Sequence, residues 1–199
     1  MTMKLYYSPG ACSLADHIAL IEAELPFDAV KVDLKTKKTV DGGDYLTVNP
    51  KGYVPALGLD DGEVLTENVA ILGYLADQAD TLMPGGTLAR YRLLEALAYI
   101  SSELHKGFKP FFAPGASDEE KASAKEALGK RYALFERQLS SSEYLLGDMM
   151  SAADCYLYVM LFWSKTKADV PVPPSLTSYY ERLSSRESVR RALSDEGLA

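Results

Sequence analysis

Hydrophobic positions fall into two regimes along the chain: short alternating or aromatic runs at first, then stripes at helical spacing to the end. Met3-Lys4-Leu5-Tyr6-Tyr7 reads as a short strand that ends in a Pro9-Gly10 turn. Leu14, Ile18, Ile21 and Leu25 then recur at helical spacing. Ser13 with Asp16 three residues on fits a capping box, which predicts a helix from about Ser13 to about Glu24. Alternation over Phe27 to Leu34 predicts a second strand, and strand, helix and strand in this span imply a right-handed unit with parallel strands. The polar, breaker-rich stretch Lys35 to Gly43 reads as a loop, and Asp44 to Pro50 holds only a short helical piece. Ala56 to Leu59 and Val64 to Thr66 flank the acidic turn Asp60-Asp61-Gly62-Glu63 as a hairpin. A helix opens at Thr66 or Glu67, with Val69, Leu72, Gly73, Leu75 and Ala76 inward.

The pattern changes after Ala79 to Gly86, where no alternating strand follows. Arg90 to Gly107 reads as a helix with Tyr91, Leu94, Leu97, Ala98 and Ser101 on one face. Ser117 to Leu139 is a second long helix, and a third begins at Ser151 with Asp154 returning the capping bond. Cys155 falls inside that third helix and reads as core. Pro171, Pro173 and Pro174 break the chain before two short helices, Leu176 to Leu183 and Ser188 to Leu193. The fold class is therefore α/β followed by all-α. Residues 1–80 form the mixed domain, residues 81–86 a linker, and residues 87–199 the helical domain.

Composition narrows the function classes. The chain has 199 residues, 47% hydrophobic and 25% charged, in the range of an ordinary soluble protein. Nothing approaches the roughly 18 apolar residues of a membrane span, and the start lacks the apolar run of a signal peptide, so a cytoplasmic location and no membrane partner are expected. A net charge of -7 argues against a nucleic-acid partner, because phosphate binding needs clustered Lys and Arg. Any anionic ligand needs a local basic site. Two cysteines, Cys12 and Cys155, make no disulfide framework and no metal-type spacing, so no metal is expected.

Cys12 carries the first candidate chemistry. It stands where the first helix begins, beside unpaired backbone N–H groups and the positive end of the helix dipole. One reading is a site where those donors lower the thiol pKa or hold an anion; the other is a small apolar residue under a turn. His105 is open in the same way, as a half-buried helix histidine or a functional one.

Several segments together resemble the cytosolic glutathione S-transferases, and among them the bacterial beta class. They are Leu5-Tyr6-Tyr7 through Pro9-Gly10-Ala11-Cys12-Ser13-Leu14, Asn49-Pro50-Lys51-Gly52 with Val54-Pro55-Ala56-Leu57, Leu65-Thr66-Glu67 with Val69-Ala70-Ile71, Glu103-Leu104-His105-Lys106-Gly107-Phe108, and Ala153-Asp154. The resemblance spans essentially the whole chain. It implies a thioredoxin-like glutathione-binding domain, a helical domain that builds most of the electrophile pocket, and a homodimer. By the same resemblance Cys12 and His105 are the catalytic residues at the glutathione sulfur, with Lys106 adjacent. Pro55 is implied to follow a cis bond that turns the Val54 backbone toward the cysteinyl part of glutathione. Glu67 and Asn68 would hold the γ-glutamyl end and Lys37 the glycyl carboxylate, with Ala11 and Ser102 beside them. Tyr99, Phe108, Phe111, Phe112 and Trp163 are the implied walls for a hydrophobic electrophile. Asn68 and Ala98 depart from the usual family residues. Glutathione is the co-substrate on this reading, and conjugation the reaction. Thiol-disulfide exchange or peroxide reduction through Cys12, and a non-catalytic binder on the same scaffold, are the alternatives.

Overall fold

The computed structural model describes residues 2–199. Its first part is a five-stranded sheet in the order β3-β2-β1-β4-β5. Strand β1 (Met3–Tyr7) pairs in parallel with β2 (Phe27–Asp33) and antiparallel with β4 (Ala56–Gly58), which pairs antiparallel with β5 (Val64–Thr66). The parallel pair follows from the crossover through α1 (Leu14–Glu22), as the strand-helix-strand pattern requires. Within the stretch read as a loop, Lys38–Thr39 forms an edge strand, β3, on β2. Only Val32 and Asp33 are met there, so two residues of pairing leave no hydrophobic alternation to detect.

Helix α2 (Asn68–Gln78) follows β5 directly and buries Ile71, Leu72, Gly73, Leu75 and Ala76. The helical part comprises α3 (Ala89–Tyr99), α4 (Lys109–Phe112), α5 (Asp118–Leu139), α6 (Ala152–Trp163), α7 (Pro174–Ser184) and α8 (Glu187–Asp195). Every residue of α6 is buried, and the main core is one continuous cluster that joins sheet side and helical side through α1, α2 and α6. A helix apolar on all sides belongs at such a centre.

Two sequence expectations need correction. Leu93, Leu97, Ile100 and Leu104 form the buried stripe of the 90–107 region, whereas Tyr91 and Ala98 are exposed. The larger aliphatic residues at alternate four- and three-residue steps win the core from Tyr91 and Ala98. The second correction concerns the start of α1. Ser13 adopts helical angles and makes no cap, and Asp16 bonds to Asn68 rather than back to the Ser13 N–H.

Between α3 and α4 the chain widens into a π turn, Ile100–Leu104, where the His105 N–H reaches the Ile100 carbonyl, and then tightens into a 3-10 turn, His105–Phe108. Such π turns concentrate at functional sites because they rephase the side chains that follow. Gly107 permits the close approach of α5 here, since a Cβ would lie 2.8 Å from the Leu128 side chain. Among the described residues, no helix is long and apolar enough to cross a membrane.

Candidate functional site

The Pro9-Gly10 turn between β1 and α1 is clamped from the helical part. Gly10 donates its N–H to Glu196 Oε2 at 2.8 Å and accepts the Trp163 indole N–H at 2.8 Å. Its φ of +68° lies in the left-handed region, where a residue without Cβ is unstrained. Glu196 also meets His17 Nδ1 at 3.0 Å, so α1, α6 and the end of α8 jointly fix where Cys12 emerges. The Cys12 thiol donates to the Val54 carbonyl at 3.4 Å, and the Val54–Pro55 bond is cis. The loop entering that bond is held at Tyr53, whose carbonyl accepts from both Tyr45 Oη and Asn49 Nδ2 at 2.7 Å.

Cys12 and Val54 open into a cavity of about 750 Å³ between the sheet side and the helical side. Its sheet-side wall includes Asn49, Lys51, Tyr53, Pro55, Thr66, Glu67, Asn68 and Val69. The facing wall is built by Ser101, His105, Lys106, Lys109, Phe112, Ala113 and Tyr156. Glu67 stands at φ +75°, a strained angle for a residue with a side chain, at the junction of β5 and α2. Its carboxylate is paired with Lys51 Nζ at 2.6 Å in a solvent-exposed bridge, which is weak and exchangeable for another cation. Asn68 is buried, and its amide donates to the Cys12 carbonyl at 2.9 Å and to Asp16 at 3.0 Å. It therefore fastens α2 to the first turn of α1.

The electrostatics of the two central groups are opposite to a charged nucleophile-base pair. Burial, reinforced by the Asp16 carboxyl, pushes the Cys12 thiol up to about 12, and the backbone N–H groups of Cys12 and Ser13 only partly offset this. On this balance the helix N-terminus does not make Cys12 a thiolate, against the lowered-pKa half of the two readings open from the sequence. Desolvation outweighs about 1 kcal/mol of dipole stabilisation once the group leaves water. His105 moves the other way: burial first, then the positive charge of Lys106, lowers the imidazole to about 4, so it is neutral near pH 7. Its Nδ1 lies 2.6 Å from the Tyr156 hydroxyl, and the ring meets Trp163 edge-on at 5.0 Å.

Of the residues implied by the family resemblance, the cavity brings together Cys12, Val54, Pro55, Glu67, Asn68, His105, Lys106 and Phe112. The others lie elsewhere. Ala11 packs against the small core cluster of Val32, Tyr45, Val54 and Ala56. Lys37 spends its ammonium on the Gly52 carbonyl at 2.7 Å, and Lys51 takes the cationic position in the wall. Ser102 is exposed, while its neighbour Ser101 lines the cavity, four residues before His105 and so on the same helical face. Phe108 is fully buried, and Trp163 is buried behind His105 with Phe108 and Phe112 against its ring. Tyr99 packs on Phe135 and edges a separate hollow, and Phe111 lines a lysine-rich groove beside α5. These four aromatics support or flank the wall, and Phe112 forms it.

Lys51, Lys109, Ala113 and Tyr156 are among the cavity residues that the sequence did not name as site residues. Lys51 stood inside a quoted motif and carried the right charge. Tyr156 had no signal apart from its place two residues after Asp154. Among the described residues no group of three or more His, Cys, Asp or Glu could hold a metal ion.

The chain matches two protein families, "Glutathione S-transferase, N-terminal domain" over residues 11–78 and "Glutathione S-transferase, C-terminal domain" over residues 99–187. It is 43% identical to the glutathione S-transferase GstA of Escherichia coli O157:H7, covering 98% of this chain and all of that protein. Among solved structures, a sphingomonad glutathione S-transferase complexed with glutathione superposes with a TM-score of 0.90 at 51% identity. A bacterial beta-class glutathione S-transferase from Sphingomonas chungbukensis gives 0.89 at 50%. Each of these two comparisons covers 98% of this chain and 100% of the other.

Proposed function

Because the chain belongs to the glutathione S-transferase family and is an enzyme that conjugates glutathione, we propose that the sulfur of glutathione lies between Cys12 and His105 in the interdomain cavity. The observation that carries the assignment is the convergence of Cys12, the Val54 backbone, Glu67 and His105 on one cavity of about 750 Å³. A free thiol has a pKa of about 8.5, so most glutathione in neutral water is unreactive, and the task of the site is to favour its thiolate. Two neutral donors facing one sulfur do this without competing for its proton. The Cys12 S–H, protonated at neutral pH, turns from the Val54 carbonyl to the glutathione sulfur. The neutral His105 ring, bound through Nδ1 to Tyr156, has Nε2 left for the same sulfur.

The remaining contacts follow from charge. Glu67 receives the ammonium of the γ-glutamyl end in exchange for Lys51, and Asn68 with the first turn of α2 holds the adjoining carboxylate. Lys106 and Lys51 supply cations for the carboxylates, which an overall charge of -7 would otherwise disfavour. The electrophile is hydrophobic and approaches along Val69, Tyr53, Phe112 and Ala113. The enzyme acts as a cytoplasmic homodimer of a residue 1–80 domain and a residue 87–199 domain, without a metal.

A raised Cys12 thiol favours hydrogen-bond donation over the mixed disulfide that exchange or peroxide reduction would need, since the attacking species is the thiolate. Isothermal titration with glutathione, together with conjugation to a generic aryl halide, tests the assignment. Binding is expected in the wild type, and Cys12→Ala is expected to retain some conjugation while losing any adduct seen by intact mass at that position. Absence of glutathione binding to the wild type would sink it.

A further inference from the structure

His105 is effective as a donor only if its proton sits on the nitrogen that faces the sulfur, and the surroundings of its other nitrogen decide this. Nδ1 has the Tyr156 hydroxyl at 2.6 Å. That hydroxyl sits on a fully buried tyrosine, with the Ser101 side chain as a second polar neighbour. Ser101 and His105 stand four residues apart on the π turn, and Tyr156 reaches both from α6. All three line the cavity.

The length of the contact between Tyr156 and His105 orients it. An N–H donated to an oxygen lies at about 2.7–3.2 Å, whereas an O–H donor approaches to about 2.5–3.0 Å. At 2.6 Å the Tyr156 hydroxyl is the donor and Nδ1 the bare acceptor, which puts the imidazole proton on Nε2. The edge of Trp163 at 5.0 Å keeps the ring in that orientation.

We propose that Tyr156 is a positioning residue which, by donating its hydroxyl proton to His105 Nδ1, holds His105 as its Nε2–H tautomer and so aims a neutral N–H donor at the glutathione sulfur. The inference rests on the placement of His105 proposed above, and two measurements separate the fates of the two. Nitrogen-15 NMR reports the tautomer directly, and the chain has only His17 and His105 to assign. The wild type shows a proton-bearing Nε2 and a bare Nδ1 at His105, and Tyr156→Phe, which keeps the ring and loses the hydroxyl, shows a substantial Nδ1–H population. In steady-state kinetics Tyr156→Phe lowers kcat about tenfold with KM for glutathione nearly unchanged, and moves the pH midpoint of kcat/KM for the electrophile, taken at saturating glutathione, toward that of free glutathione.

A wild-type Nδ1–H tautomer overturns the proposal outright. If Tyr156→Phe keeps the wild-type tautomer and pH profile while His105→Ala shifts that profile, the positioning role of Tyr156 is wrong and the place of His105 stands. If neither variant shifts the profile, the assignment of His105 to the sulfur fails and the inference falls with it.

Discussion

The sequence Ser-x-x-Asp begins two helices of this protein, and the two sites have opposite fates. At α6, Asp154 is a hub: it accepts the Ser151 N–H at 2.8 Å and the Ser151 hydroxyl at 2.7 Å, the Leu145 N–H at 2.9 Å, and the Tyr179 hydroxyl at 2.5 Å. At α1, Ser13 instead exchanges bonds with Ser8, accepting its N–H at 3.2 Å, while Asp16 Oδ2 takes the Asn68 amide and Oδ1 is buried without a partner. Burial raises the carboxyl of Asp16 well above the ordinary range. One motif thus closes a helix end at the core, and the other leaves a helix end open at the site. The box at α6 secures the helix that carries Tyr156 and Trp163. The open first turn at α1 leaves the backbone around Cys12 facing the cavity, and its carboxyl group is given to the contact with α2.

The largest test of this contrast is Asp154→Ala. It strands two backbone N–H groups and a tyrosine hydroxyl in the core, and the expected loss is about 3 kcal/mol or more of folding free energy by denaturant titration. A loss under about 1 kcal/mol would deny Asp154 its role as a hub. Next comes the reactivity of Cys12. With the thiol near 12, alkylation by iodoacetamide at pH 7.5 should run roughly a hundredfold slower than for free glutathione and climb with pH to beyond pH 10. Fast alkylation that levels off below pH 7 would instead restore the dipole-activated thiolate. The smallest effect belongs to Asp16→Asn. An amide replaces a carboxyl whose charged form burial disfavours and keeps an oxygen for Asn68, so stability changes by less than about 1 kcal/mol. A collapse in stability there would mean that Asp16 is charged.

His105 supplies a pH prediction whose sign is fixed by its lowered imidazole. The neutral form persists from alkaline pH down to about 4, so no acid limb with a midpoint near 6.5 should appear in kcat/KM from this group. The fall in rate between pH 9 and 6 then reports the glutathione thiol alone. A limb near 6.5 that disappears in His105→Ala would contradict this.

The difference between the two helix starts also explains what could be read from the sequence. Ser151 and Asp154 obey a local rule, and local rules are legible; the same rule at Ser13 and Asp16 was overruled by Asn68, which arrives from another helix. Cys12, Val54, Glu67 and His105 sit in compact motifs and were legible through them. Ser101, four residues before His105, was legible as an inner-face residue of the 90–107 helix but not as a site residue, since Ser102 was implied by the family resemblance alone. Trp163 and Phe108 looked like pocket walls, since helical spacing places aromatics on a face without saying whether that face meets a ligand or the core. Tyr156 depended on α6 packing across the π turn, a tertiary fact with no local trace.

The central claim is that Cys12 and His105 together stabilise the glutathione thiolate, and the most direct measurement is the ultraviolet titration of that thiolate in the enzyme-glutathione complex. In the wild type the bound thiol is expected to ionise at least one pH unit below free glutathione, near 8.5, a preference of about 1.4 kcal/mol or more. Cys12→Ala and His105→Ala should each move the midpoint back toward the free value. A wild-type complex that ionises with the midpoint of free glutathione, or one whose midpoint neither substitution changes, would contradict the account.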